Sequence, residues 1–388
     1  MLSPTPFSLI CALLLCLPLA IVFTITSPTN TTIIADLSRT QDAISALASC
    51  ATAKTHQKIN IKSITSLLQP PQSPPSPPPP SPPQQPDEDD LLFRVAARVN
   101  SRPLPRRGTR KLAFLFLTTS PLPFSPLWEL YFNQTPKNLY NIYIHADPTY
   151  EYDPPFNGRF SPTLISAARR LLAHALLDDP SNAMFALISP SCIPIHSFNF
   201  TYKTLARSRK SFIEILENEV GSYDRWAARG EDAMLPEVKF EDFRIGSQFW
   251  VLTRKHARLV VSDRKLWSKF KLPCVREDTC YPEEHYFPTL LSTRDARGCV
   301  PATLTHVNWT GSFDGHPRTY ESYEVGPDFI STLRKDRPRY GDEEVINGSD
   351  SFLVIKRHGH DPFLFARKFT PESIEPLMTI ANDVIFRD

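Results

Sequence analysis

Apolar residues fall along this chain in two distinct patterns, separated by a stretch that has neither. The first is a continuous run over 7–25, FSLICALLLCLPLAIVFTI, 19 residues without a charge. As a helix it rises about 28 Å, close to the ~30 Å hydrocarbon core of a bilayer. Pro18 can kink such a helix, and proline is tolerated within membranes. The run exceeds the usual apolar core of a signal peptide and no positive residues precede it. A retained anchor is therefore expected, with a cleaved signal as the other reading. No second run of that length follows, so the simple topology puts the main domain in the secretory lumen.

The second pattern begins near Lys111. Short apolar runs at 111–118 (KLAFLFLT), 139–145 (LYNIYIH) and 184–188 (MFALI) read as strands. Between the last two, 163–177 has the period of an amphipathic helix. This alternation predicts βαβ units and an α/β domain with a sheet covered by helices on both faces. Further strands are expected at 248–253, 302–308 and 351–356, with helices at 202–220 and 283–293 and a leading helix at 91–98.

Between the two patterns lies a stem. Within it, 36–50 suits a short helix, and 70–86 (PPQSPPSPPPPSPPQQP) holds 11 prolines in 17 positions. Such a run lacks backbone donors and favours polyproline II. At ~3.1 Å per residue it spans on the order of 50 Å, enough to hold a domain away from a bilayer. The acidic residues Asp87 to Asp90 mark its end. The expected organisation is a cytosolic tail (1–6), an anchor (7–25), a lumenal stem (26–90) and a main domain (91–388).

Composition changes this picture little. The 388 residues carry a formal net charge of +2, which does not call for a nucleic-acid partner. Of seven cysteines, Cys11 and Cys16 fall in the expected anchor. Cys50, Cys192, Cys274, Cys280 and Cys299 would face an oxidising lumen. The spacing of Cys274 and Cys280 permits a local disulfide, and His285 nearby keeps zinc as a competing use. Sequons stand at Asn30, Asn133, Asn199, Asn308 and Asn347. Asn199 and Asn308 adjoin aromatic residues, which points towards burial.

Candidate chemistry gathers where strands end, since ligands of open α/β sheets lie outside the carboxyl ends of strands. His145 and Asp147 follow the second strand, and Ser189-Pro190-Ser191 follows the third. The densest cluster is CYPEEHYF (280–287), with Pro282 suited to the first turn of a helix. Glu283 and Glu284 are either dipole-complementing caps or include a general base, and His285 is the other candidate base. In FRIGSQFWVLTRKHA (243–257), Gly246 and Ser247 would allow close backbone approach to a ligand. Phe249 and Trp250 either pack the core or stack on a sugar, and Arg254-Lys255-His256 reads as a solvated face. The segment THVNW (305–309), with Gly311, Gly315 and His316 after it, suits carbohydrate binding or an ordinary turn. Arg367 and Lys368, with Arg357, His358 and His360 upstream, are either a surface patch or a cation set for a diphosphate leaving group.

Neither a serine-hydrolase elbow nor a zinc-protease helix is present. The single Asp-x-Asp pattern, Asp87-Glu88-Asp89, lies before the domain, so a divalent metal on a diphosphate has no evident ligand pair.

Six segments in order resemble the plant branch of the core-2/I-branching β-1,6-N-acetylglucosaminyltransferase family, the glycosyltransferase family 14-like proteins. They are YNIYIHADP (140–148), FALISPSCIPIHSF (185–198), FRIGSQFWVLTRKHARLVV (243–261), CYPEEHYFPTLL (280–291), THVNWT (305–310) and LFARKF (364–369). The resemblance implies a type II Golgi membrane protein with a GT-A-like fold, a mixed central sheet flanked by helices. It implies inverting, metal-independent transfer from a UDP-sugar, N-acetylglucosamine in the characterised animal enzymes, to a glycan or glycoprotein. No cofactor is expected. Carried over by residue, the base is Glu284, the glutamate directly before His285, and Lys368 of the A-x-K-F segment faces the UDP phosphates. Asp147 matches the acidic residue of the first donor-side loop. Arg357 and Arg367 are physical assignments beside Lys368. The segment FALISPSCIPI departs from the animal pattern, and the animal disulfides have no counterpart set here. A non-catalytic lumenal binding protein that kept the fold is the alternative.

Overall fold

The computed structural model describes residues 88–102, 109–118, 121–145, 163–312, 315–342, 344–347, 352–355 and 360–388. All belong to the compact unit Pro82–Asp388. The expected anchor, most of the stem, Asp147, Arg357 and His358 lie outside the described residues. Among the described residues no helix is long and apolar enough to cross a membrane.

The centre is a six-stranded mixed sheet in the order β2-β1-β3-β6-β5-β7. Its strands are β1 (Lys111–Leu117), β2 (Tyr140–His145), β3 (Asn182–Ile188), β5 (Ser211–Phe212), β6 (Val251–Thr253) and β7 (Cys299–Val300). Beyond Lys111, strand β1 is apolar because both of its faces are covered. Ala113, Leu115 and Leu117 enter one core cluster, and Leu112, Phe114 and Phe116 enter the other, as side chains alternating along a strand must. β3 divides in the same way, Phe185 and Leu187 against Met184, Ala186 and Ile188. β1 runs parallel to both β2 and β3, the expected βαβ arrangement. β6 then runs antiparallel to β3 and to β5, which makes the sheet mixed.

The helices are α1 (Glu88–Ala96), α2 (Ser125–Asn133), α3 (Thr163–Asp178), α4 (Phe198–Arg207), α5 (Ser222–Trp226), α6 (Arg254–Ser262), α7 (Trp267–Phe270), α8 (Pro282–Asp295), α9 (Pro327–Lys335) and α10 (Ile374–Ile380). α3, α6 and α8 bury their apolar stripes on the first face, and α2, α4, α9 and α10 on the second. A smaller sheet, β4 (Ile193–Pro194), β11 (Phe365–Ala366) and β8 (Thr305–His306), adds Ile193, Phe365 and Ala366 to that second core. β9 (Glu344–Asn347) and β10 (Phe352–Ile355) form an antiparallel pair.

Several expectations need correction. The helix expected over 202–220 is the shorter α4, capped at its start by Ser197 Oγ, which accepts from Phe200 N at 3.1 Å. It stops because Ser208 Oγ bonds locally to both the N–H and the carbonyl of Lys210, a turn that competes with helix. β5 follows at once. Arg254 and His256 are buried rather than solvated, and Lys255 alone of the three points outward. Arg254 donates to the carbonyls of Asn100, Leu176, Asp179 and Asn182, tying α3 to the start of β3. Asn199 is exposed on α4 and not buried. Glu88, Asp89 and Asp90 form the first turn of α1, where Asp89 pairs with Arg170 at 2.7 Å. The local disulfide that the spacing permits is present and joins Cys274 to Cys280.

Candidate active site

A cleft of about 840 Å³ opens at the carboxyl ends of β1 and β3, lined there by Leu117, Ser189, Pro190 and Ser191. Glu284, Gly246, Ser247, Arg367 and Lys368 all line it, although 37 to 84 residues separate Glu284 from the others. The sheet order, not proximity in sequence, brings them together.

Glu284 stands in the first turn of α8, which Pro282 opens. Proline at this point loses nothing, because the first helical N–H groups have no partner in the helix. A second proline, Pro288, lies one turn further on. It has no N–H to give the carbonyl of Glu284, the acceptor four residues back. That carbonyl accepts instead from Gly246 N at 2.9 Å. The loop before β6 is thereby pinned to the helix turn that carries the carboxylate.

Arg225, on α5, places Nη1 3.3 Å from Glu284 Oε2 and 3.5 Å from His285 Nε2. Its guanidinium also sits 5.0 Å over the Tyr281 ring. Glu283 lines the cleft too but is 4% exposed, against 28% for the Glu284 side chain. His285 is fully buried, 5.0 Å from the Phe243 ring, and is not part of the cleft wall. Burial, and then the charges of Arg225 and Arg229, hold its imidazole well below the usual range, so it is neutral near pH 7. Of the three candidate bases, Glu284 is the one both exposed to the cleft and held by a cation.

Lys368 and Arg367 follow β11, which lies between β4 and β8. Arg367 N donates to His306 O at 3.0 Å, and Tyr320 N donates to Lys368 O at 2.7 Å. The Arg367 guanidinium stacks 4.5 Å from the centre of Phe249, and Lys368 Nζ is 3.3 Å from His316 Nδ1. Phe249 thus supports a cation at the cleft wall. Trp250, its neighbour, is 1% exposed and packs on Phe287, which settles it as core.

Gly246 serves a close approach, but to protein. A Cβ there would lie 2.0 Å from the Glu214 carbonyl oxygen, beside the antiparallel bridge of Leu216 and Ile245. Ser247 Oγ accepts from Phe249 N at 3.1 Å. Glu214, half-buried at the cleft wall, is pulled two ways. Burial raises its pKa and Arg339, 3.0 Å away, lowers it, with a net rise. Arg339 also pairs with Glu219 at 3.1 Å. Sequence reasoning missed Arg225, Glu214 and Arg339, for no periodicity or spacing marks any of them. His145, half-buried, offers its backbone carbonyl to Thr118. Trp309, 53% exposed, lines the cleft.

Among the described residues no group of three or more His, Cys, Asp or Glu side chains is disposed to hold a metal ion.

Comparison with known proteins points the same way as the cleft. The family model described as Core-2/I-Branching enzyme matches residues 112–334. The rice protein Glycosyltransferase BC10 (Oryza sativa subsp. japonica) is 30% identical over 318 residues, 71% of this chain and 77% of that protein. A human protein, probable beta-1,3-galactosyl-O-glycosyl-glycoprotein beta-1,6-N-acetylglucosaminyltransferase 7, is 27% identical over 169 residues. That match spans 40% of this chain and 34% of the human protein.

Proposed function

This chain belongs to the core-2/I-branching enzyme family and is a glycosyltransferase; on that premise we propose that it transfers a sugar from a UDP-sugar by single inverting displacement, without a divalent metal. The observation that supports this reading is that a carboxylate, Glu284, and an ammonium, Lys368, line one cleft. Glu284 takes the proton of an acceptor hydroxyl while that oxygen attacks the anomeric carbon. The bond from the anomeric carbon to the UDP oxygen breaks, and UDP leaves with the electron pair. Lys368 and Arg367 offset the charge that develops on the diphosphate, as fixed cations do in a partly water-excluded site. Arg357 is assigned to the same task and Asp147 to the donor side. Inversion follows from the single displacement, so no nucleophilic side chain is needed.

N-acetylglucosamine is the proposed sugar, supported by the activity in the name of the human relative. The acceptor is a glycan or glycoprotein. Residues 7–25 anchor the chain in the Golgi membrane with the catalytic domain in the lumen, supported by their length and freedom from charge.

Release of free sugar from a panel of UDP-sugars, measured with and without EDTA, tests the donor and the metal together. Turnover of UDP-N-acetylglucosamine that survives chelation is expected. Turnover that chelation removes overturns the metal-free mechanism.

A further inference from the structure

A second hollow, of about 480 Å³, lies at the other end of the sheet. The cleft meets the carboxyl ends of β1 and β3, at Leu117 and Ser189, whereas this hollow is lined by Leu112, Ala183 and Met184 at their amino ends. Five residues of strand separate the two along β1, roughly 17 Å at ~3.3 Å per residue. The hollow is therefore distinct from the cleft and is not reached by the same sugar.

Its rim is cationic. Arg102, Arg110, Arg209, Lys255 and Arg297 line it, all exposed. Among the described residues Asp295 is the one carboxylate lining it, and it is already engaged by Lys255 and by His256 Nε2 at 3.0 Å. Gly298 keeps that carboxylate turned inward, since a Cβ there would lie within 2.4 Å of Asp295 Oδ2 and 2.9 Å of His256 Nε2. Arg110 donates to the Ala206 carbonyl, a neutral acceptor, at 3.4 Å. Some surface arginines elsewhere in the domain meet carboxylates, as Arg170 does Asp89, Arg276 does Asp224 and Arg318 does Glu324. Among the described residues Arg102, Arg110, Arg209 and Arg297 meet none. Like charges concentrated on a concave surface raise its potential and attract counter-charge. Guanidinium groups match planar carboxylates in particular. Leu112, Met184 and Leu205 lie buried beneath the hollow, and Ser101 and Thr253 add hydroxyls to its wall, a lining that suits a ring with polar substituents and an acid group.

We propose that this hollow is a second glycan-binding site, which holds an acidic sugar, a uronate or a sulfated residue, of an extended polysaccharide. The proposal rests on the glycan-acceptor reading above and adds to it that the recognised polymer is anionic at a distance from the point of transfer. Such a site would hold the polymer by charge while the cleft works on one hydroxyl.

The test uses the purified full chain and direct binding, so it does not depend on turnover. Calorimetry with a galacturonate decasaccharide, a sulfated oligosaccharide of similar length and an uncharged one separates carboxylate, sulfate and neutral ligands. Binding of an acidic ligand is expected to weaken at least tenfold in the triple variant Arg102→Gln, Arg209→Gln, Arg297→Gln, and to weaken with added salt as exposed charge interactions do. UDP binding by the same triple variant should stay within twofold of the parent, which also shows that it folds. Lys368→Ala should show the reverse, weaker UDP binding with the acidic oligosaccharide unaffected, so a failure of the cleft reading is distinguishable. Equal binding of the uncharged oligosaccharide, no binding of either acidic one, or undiminished binding by the triple variant would each overturn the proposal. So would binding to vesicles containing phosphatidylserine with no binding to acidic oligosaccharides.

Discussion

Arg225 holds the Glu284 carboxylate from one side at 3.3 Å while Tyr281 lies under the same guanidinium at 5.0 Å. The contact fixes where the carboxylate points, because the guanidinium is planar and carries several donors. Arg225 acts through Glu284 as a positioning residue. Replacing it with Gln is expected to lower kcat by roughly 10- to 100-fold, the cost of misplacing a reacting group by about an ångström. The KM for the UDP-sugar should change little, since the proposed mechanism gives the diphosphate to Lys368 and Arg367. Steady-state kinetics separate the two, and a rise in donor KM with unchanged kcat would contradict the assignment.

Gly246→Ala inserts a methyl 2.0 Å from the Glu214 carbonyl. Backbone must move to admit it, and overpacking of this kind costs about 1–3 kcal/mol. The Gly246 N–H bond to the Glu284 carbonyl moves with it. Both thermal stability and turnover should fall, as calorimetry and donor hydrolysis would record. A variant with unchanged Tm would show that the loop yields more easily than its packing implies.

The disulfide of Cys274 and Cys280 closes the loop just before α8. That loop also binds the segment carrying Arg225, for Val275 N and Arg276 N both donate to Ala228 O, at 2.8 and 3.0 Å. Arg276 pairs with Asp224 at 3.3 Å. Replacing both cysteines with Ser should cost about 2 kcal/mol through chain entropy and lower kcat as Arg225 loosens. Denaturant unfolding measures the first effect. No change in either quantity would show that the hydrogen bonds hold the loop unaided.

Burial lowers the pKa of His196, His256, His285 and His306, all below the usual 6.5. Asp388, Asp295 and Asp336 offset this in part for His196, His256 and His306; His285 has two arginines instead. An unfolded chain takes up these protons below pH 6.5 while the folded one resists. Stability is therefore fully present above about pH 6.5 and falls as pH drops below it, by up to ~1.4 kcal/mol per pH unit for each proton. Tm should be lower at pH 5.5 than at pH 7.5, and His285→Phe should reduce the difference. A Tm that rises on acidification would contradict the burial of these rings.

How much of this was legible in the sequence depends on where each signal comes from. β1 and β3 announce themselves because they are buried on both faces, so their residues are apolar without interruption. The antiparallel direction of β6 was not legible, since three residues carry no sense of direction and the pairing is set by a partner about 65 residues away. The helix at 202–220 was misjudged because side-chain bonds within Ser208–Lys210 stop it, and periodicity does not see them. Glu284 and Lys368 were assigned through resemblance of their segments, and the fold brings both to one cleft. Arg225 was not, for its role exists only once α5 and α8 meet. Arg254 looks like a surface charge in sequence and becomes interior because four carbonyls converge on it.

Turnover by Glu284→Gln, with UDP affinity measured on the same preparation, tests the central claim most directly. Loss of a general base costs on the order of 10²–10⁴-fold in rate, and the account predicts that loss with UDP binding within about twofold of the parent. A Glu284→Gln variant that turns over UDP-sugar at the parental rate would contradict it.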